Sequence, residues 1–297
     1  MWLGWHTVRF LRGALALVLL TTVAACSRGE NTPAVATVSV TPTRTRITPG
    51  GVLDMTFRFE VKPGTVIPLD YTVFVHFVNA DGQTLWTDDH VPDIPTSQWK
   101  AGQVVQYSRT RFLPTSGLAP GDVTVVVGLY REDARLPLEA VSGEVPDRAY
   151  PAAALQVGTE SEAPFLILTG GWHPEEFSAD GTRSWTWTQK SAALSFRNPK
   201  SDILILLEYD ARPDVFPGAP QQVTVSLAGQ PVATFPADSN DIVLKRLPVP
   251  ASTLGSADMV EMTIEVDKVF VPAELPAGGR DSRPLGIRVY HAFVDGR

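Results

Sequence analysis

The residues of this chain best suited to chemistry are aromatic. Arg183-Ser184-Trp185-Thr186-Trp187 alternates, so on a strand Arg183, Trp185 and Trp187 share one face, and Ser184, Thr186 and Thr188 the other. Two indoles spaced this way stand roughly 7 Å apart. Flat apolar platforms of that kind stack against sugar rings, with an Arg or a carboxylate beside them for the hydroxyls. Trp172, His173 and Glu175 precede the strand and would complete a cleft. The same pattern has a second reading, which the Ser/Thr alternation favours: both indoles in the core and the hydroxyl face in solvent. Trp172, beside Gly170-Gly171 and outside the alternation, is the aromatic expected at the surface.

Other chemistry-bearing sets are weaker. Asp88, Asp89, His90 and Asp93 are the densest group of oxygen and nitrogen ligands, but Val91-Pro92 interrupts them and their spacing is not that of a calcium loop. A solvated acidic strand end is expected there, and no metal or cofactor is assigned. The histidines show no H-x-H or HExxH spacing. His76 lies within Phe74 to Val78, and His291 shares a face with Val289 and Phe293, so both are expected as core histidines. Ser97-Gln98-Trp99-Lys100 matches S-x-x-K, yet its partner motifs are missing and Pro95 and Gly102 place it in a loop. Glu175-Glu176 has no evident partner for glycoside hydrolysis, and Asp281 and Arg283 read as an ion pair pinning a loop. No catalytic residue is assigned.

The elements that must position these residues are strands. The first half has candidates at 36–40, 52–61, 71–79, 84–90, 104–113, 123–131 and 153–157, punctuated by Pro49-Gly50-Gly51, Asp81-Gly82 and Pro120-Gly121. Seven short strands at this spacing predict an immunoglobulin- or fibronectin-III-like sandwich over 34–158. Residues 159–164, small and charged before Pro164, read as a linker. In 165–297, Val260, Met262, Ile264 and Val266 alternate with Glu261, Thr263, Glu265 and Asp267, while 203–209 is apolar on both faces. About eight strands there predict a jelly-roll-like sandwich. The fold class is all-β, two consecutive β-sandwiches.

The amino terminus reads as an address. Arg9 and Arg12 precede an apolar run, 14–23, that is short for a membrane span. Val23-Ala24-Ala25-Cys26 resembles the lipobox of bacterial lipoproteins, and Cys26 is the only cysteine. The resemblance implies removal of 1–25, a diacylglyceryl thioether on Cys26, and a short stalk over 26–33 on a lipid bilayer. Ser27 leans toward the outer membrane if the cell is Gram-negative.

A second resemblance covers most of the remaining chain. The run from Tyr71 to Gly82, then Pro95 to Trp99, then Val127-Gly128-Leu129-Tyr130, looks like an Ig-like sandwich at the extracytoplasmic ends of some bacterial membrane glycosyltransferases and related envelope proteins. The second half is similar to another sandwich from that setting, through Gly171 to Glu175, Arg183 to Trp187, Phe270 to Glu274 and Asp281 to Tyr290. The multi-span transferase portion is missing, so no transferase activity is implied. The formal charge is −7, and removing Arg9 and Arg12 with the signal leaves −9. That acidity argues against nucleic acid and anionic headgroups as partners. With no second cysteine, stability must come from packing. The expectation is a non-catalytic, lipid-anchored envelope protein that binds glycan or another polymer, or else one that makes assembly contacts with envelope proteins.

Overall fold

Period-two alternation in the first half builds two facing sheets. In the computed structural model, which describes residues 32–115, 117–140, 146–162, 165–276 and 279–296, the first sandwich comprises β1 (Ala36–Pro42), β2 (Arg46–Ile47), β3 (Val52–Val61), β4 (Thr72–Asn79), β5 (Thr84–Thr87), β6 (Val104–Phe112), β7 (Gly121–Arg131), β8 (Ala134–Leu136), β9 (Leu138–Ala140) and β10 (Tyr150–Val157). One sheet runs β6-β3-β1-β9 and the other β2-β10-β7-β4-β5, with β8 a hairpin on β7. Leu53, Met55, Phe57 and Phe59 face inward from β3; Val73, Val75 and Phe77 meet them from β4, and Val125, Val127 and Leu129 from β7. Phe74, on the outer face, is buried because Gly128 lies beneath its ring: a Cβ there would fall 2.2 Å from the ring carbon Cε1. The turn at Asp81-Gly82 forms with positive φ at Gly82 alone, and Asn79 Oδ1 accepts from the N–H groups of Asp81 and Gln83.

The second sandwich comprises β11 (Leu166–Trp172), β12 (Glu176–Phe177), β13 (Ser184–Arg197), β14 (Ile203–Asp210), β15 (Gln221–Leu227), β16 (Gln230–Ala237), β17 (Val243–Val249), β18 (Met259–Val266) and β19 (Arg288–Gly296). Its strands form one path, β16-β15-β18-β13-β19-β14-β17, because the 14-residue β13 belongs to both layers. Its amino-terminal part pairs with β19 through Thr186 and Trp187, and its carboxy-terminal part pairs with β18 from Ser191 to Arg197. The alternation read for β18 holds, with Val260, Met262, Ile264 and Val266 all buried. β14 is buried on both faces, as its composition requires. Ile203, Ile205 and Leu207 enter the sandwich core, while Leu204 and Leu206 turn outward to Val52 of β3 and Phe293 of β19.

That outward face joins the two sandwiches. Phe112 and Leu244 pack at its edge, Arg246 donates to Asp54, and Arg44 holds Asp295 in a bidentate pair at 2.8 and 2.5 Å. In the stretch read as a linker, Glu160–Glu162 forms a single 3-10 turn, and Glu162 accepts two bonds from Arg46. Residues from Ala34 onward cluster as one compact unit. Among the described residues no helix is long and apolar enough to cross a membrane. Cys26 and the signal read before it lie outside the described residues, as does most of the stalk.

Candidate functional site

The site is built where β13 passes from one sheet to the other. β11 pairs with β13 irregularly: Gly170 stands opposite Ala193 but Trp172 opposite Thr188, so β13 loops outward between them. Gly171, at φ +74°, crosses this bulge so closely that a Cβ would lie 1.8 Å from Ser191 O. Only glycine permits that approach. It turns the Trp172 indole back onto the core, where Nε1–H donates to Ala193 O at 2.7 Å.

A groove of about 460 Å³ opens beside Trp172. It is lined by Trp172, His173, Glu175, Trp185, Tyr290 and His291, with Leu166 and Leu168 of β11 forming one wall and Ser184 and Thr186 also bordering it. Four of the six residues read from the sequence as ligand contacts therefore converge: Trp172, His173, Glu175 and Trp185. His173 Nε2 donates to Pro284 O at 2.9 Å, which fixes its ring, and Glu175 stands exposed at the rim. Trp172 is half-buried rather than the freely exposed aromatic expected, because its indole packs against the second core.

Trp187 departs from the platform reading. It is buried against Phe270 and Leu285, with Trp185, Val215 and Phe216 around it. Arg183 is exposed and lies outside the groove lining. What holds the two indoles is Arg288, a residue the sequence did not single out. Its guanidinium lies 4.9 Å from the Trp185 ring centre, 5.5 Å from Trp187 and 5.4 Å from Tyr290. The cation is neutralised by buried Asp210, whose Oδ1 accepts from Nε at 2.8 Å and whose Oδ2 accepts from Tyr290 Oη at 2.8 Å. Burial, with Asp210 adding to it, pushes the Tyr290 hydroxyl up to about 12. The Trp185 indole N–H donates to Glu176, which also accepts from Arg283. Arg283 in turn pairs with Asp281 as the sequence suggested, holding that carboxyl down at about 2. The hydroxyl face is not uniformly in solvent either, since Thr188 is fully buried and accepts from Ile287 N through its Oγ1. Period-two reasoning cannot anticipate a strand whose outer neighbours change halfway along its length.

His291 is not a core histidine. β19 carries a bulge at Tyr290, because Glu208 pairs with His291 while Tyr209 pairs with Val289. The extra residue reverses the faces that follow it. Val289 points into the core, whereas His291 points out, accessible on the groove wall, with Nδ1 2.6 Å from Glu208 Oε2. His76 is likewise half-buried on the outer face, 3.7 Å from Asp89. The Asp88 set is solvated only in part: Asp89 and Asp93 are exposed as expected, but Asp88 and His90 are not. Asp88 is buried against Arg109 and Arg111, and His90 is buried between Asp88 O and Tyr107 Oη. Among the described residues no group of three or more His, Cys, Asp or Glu is placed to hold a metal ion.

No protein-family model matches the sequence, and no curated protein matches it. Solved structures resemble it only distantly. A calcium-binding mutant of Bacteroides uniformis β-glucuronidase 2 is 11% identical over 85% of this chain and 28% of its own, with a TM-score of 0.29. A carbohydrate-binding-module and INT-domain fragment of Clostridium perfringens ZmpB is 11% identical over 60% of this chain and 37% of its own, with a TM-score of 0.25. The Enterococcus faecalis MSCRAMM ACE, which binds its ligands by the collagen Hug model, is 11% identical over 78% of this chain and 81% of its own, with a TM-score of 0.27. This chain thus spans about a third of the length of the first two. Likeness at this level carries no argument about activity, and the function has to be argued from the groove itself.

Proposed function

We propose that this chain is an exported, lipid-anchored envelope protein whose second sandwich binds a glycan or a comparable envelope polymer without transforming it. The groove beside Trp172 carries the reading. Its lining brings three aromatic residues, Trp172, Trp185 and Tyr290, together with the polar residues His173, Glu175, Ser184, Thr186 and His291. Aromatic residues beside hydrogen-bonding groups suit a sugar, since a pyranose has an apolar face and a polar rim. The anchor is assigned from the lipobox-like run ending at Cys26, with the outer membrane favoured in a Gram-negative cell.

Affinity electrophoresis through gels cast with different polysaccharides tests the binding role. Retardation by one polymer, reduced in His173→Ala and Glu175→Ala, is the expected result. These rim residues are preferable to Trp172, whose indole also fills the core. Mobility that no polymer alters would sink the glycan reading.

One feature favours a second reading, contact with an envelope protein. β11 is a sheet edge, and Phe165, Ile167 and Leu168 along it are exposed. The two ends of the strand path carry the usual guards, Pro231 and Pro236 on β16 and Lys245, Arg246 and Pro248 on β17. β11 has neither proline nor charge, the condition under which an edge accepts another strand.

A further inference from the structure

One pole of the first sandwich displays aliphatic side chains on loops that the fold holds still. Val66 is 81% exposed and Leu69 44% on the loop between β3 and β4; Val91 is 66% and Ile94 39% exposed on the loop leading to β6. The two loops are tied together. Thr96 Oγ1 donates to Leu69 O at 3.0 Å and accepts from Tyr71 N at 2.8 Å, and Asp70 Oδ1 accepts from Ser97 N at 3.0 Å. Buried Trp99 roots the second loop, its ring tilted at 43° against Phe59 and its indole N–H donating to Ile94 O. Exposed aliphatics on an ordered platform are an unusual expense of apolar surface unless something covers them.

The chain enters the sandwich at this same pole. Ala36 pairs with Val61, the last residue of β3, and Lys62 N donates to Val35 O. The opposite pole, where β3 begins at Val52 and β6 ends at Phe112, is the one that meets the second sandwich. Toward the tips of the two loops Lys62 and Lys100 stand against Asp70 and Asp93, while Asp88 and Asp89, where the second loop leaves β5, are bonded to Arg109 and Arg111 and to Val75 N–H. These loops carry no net positive charge that would draw the pole to anionic lipid.

We propose that this pole rests on the lipid bilayer, with Val66, Leu69, Val91 and Ile94 entering its interfacial layer. The inference rests on the anchor reading at Cys26. Cys26 stands ten residues before Ala36, a span of at most about 35 Å even fully extended. Acyl chains on that cysteine hold the pole at high effective concentration beside the membrane, so a contact too weak to bind alone becomes persistent. With no excess of cations on these loops, the contact is apolar, insensitive to salt and independent of anionic lipid. The second sandwich and its groove then face away from the bilayer, toward an extracytoplasmic polymer.

The test uses the full lipidated chain in phosphatidylcholine vesicles containing a lipid-borne quencher. Acylation blocks Cys26, the sole native cysteine, so single cysteines introduced as Val66→Cys and Ile94→Cys take an environment-sensitive fluorophore cleanly. Phe177→Cys, at a site 62% exposed on the second sandwich, serves as the control. The expected result is flotation with the vesicles, a blue shift at 66 and 94, and quenching severalfold stronger there than at 177. Flotation with equal, weak quenching at all three sites would overturn the docked pole and leave the anchor standing. A blue shift without lipid quenching would assign the pole to contact between copies and overturn the proposal. Failure to float would overturn the anchor reading and the docked pole with it.

Discussion

The His291 imidazole lies flat on the Phe112 ring, with centres 4.1 Å apart and planes 6° from parallel. One residue belongs to the second sandwich and the other to the first, so this stack couples the groove wall to the joint between them. A parallel pair at this distance contributes about 0.5–1.5 kcal/mol beyond the area it buries. Phe112→Ala should cost about 1–2 kcal/mol in all, since the ring is half-buried at the joint. Calorimetry checks this: a single transition should broaden or split in the variant as the sandwiches lose part of their coupling. An unaltered single transition would show that the stack does not join them.

Asp210 and Arg288 make a second prediction. Asp210→Asn leaves a partly buried guanidinium among three aromatic rings without its counter-charge. Breaking such a pair from one side costs about 2–3 kcal/mol, discounted for the part of Arg288 that water reaches. Near-ultraviolet circular dichroism should change with it, because Trp185 and Trp187 are packed on the cation. A variant as stable as the parent would mean that solvent, and not Asp210, balances Arg288.

His90 predicts a dependence on pH. Burial, the largest cause, lowers its pKa from the ordinary 6.5, with the charge of Arg109 acting in the same direction. The folded state thus binds a proton less readily than the unfolded chain. Stability contributed by neutral His90 is complete above pH 6.5 and declines as the solution is acidified below it. Urea midpoints should fall from pH 7 to pH 5, and His90→Gln should flatten that slope even if it lowers the midpoint overall. An equal slope in the variant would place the effect elsewhere.

The bare edge of β11 makes the fourth. A lysine at an exposed edge position repels an incoming strand while leaving the fold intact. Ile167→Lys should abolish photo-crosslinks formed in membranes from a probe at Leu168, with little change in melting temperature. Crosslinks that persist would indicate that any partner reads another surface.

Much of this architecture was legible in the chain. Val52–Val61 and Val260–Val266 show their inward faces by alternation, and the double-sided burial of Ile203–Tyr209 follows from its unbroken apolar run. The groove was legible in part, because Trp172, His173, Glu175 and Trp185 are close in sequence as well as in space. Tyr290, and the Arg288–Asp210 pair that holds its ring and the indoles, were not, since they come from β14 and β19, which meet β13 only through sheet pairing. His291 was assigned to the wrong face because a one-residue bulge at Tyr290 carries no mark in the sequence. Asp88 and His90 were taken as polar termini because their partners Arg109, Arg111 and Tyr107 lie on β6, across the sandwich.

The placement of β1 also has a mechanical meaning. β1 enters at the pole of Ala36 and runs toward the joint with the second sandwich, bonded along seven residues to antiparallel β3, which begins at that joint and returns to the pole. A pull on Ala36 resisted at that joint acts along the strand axis. All the inter-strand bonds of β1 then share the load in shear, instead of parting one at a time as a zipper does. A tethered protein gripping a polymer would be strained in this direction, and its first strand is oriented to withstand it.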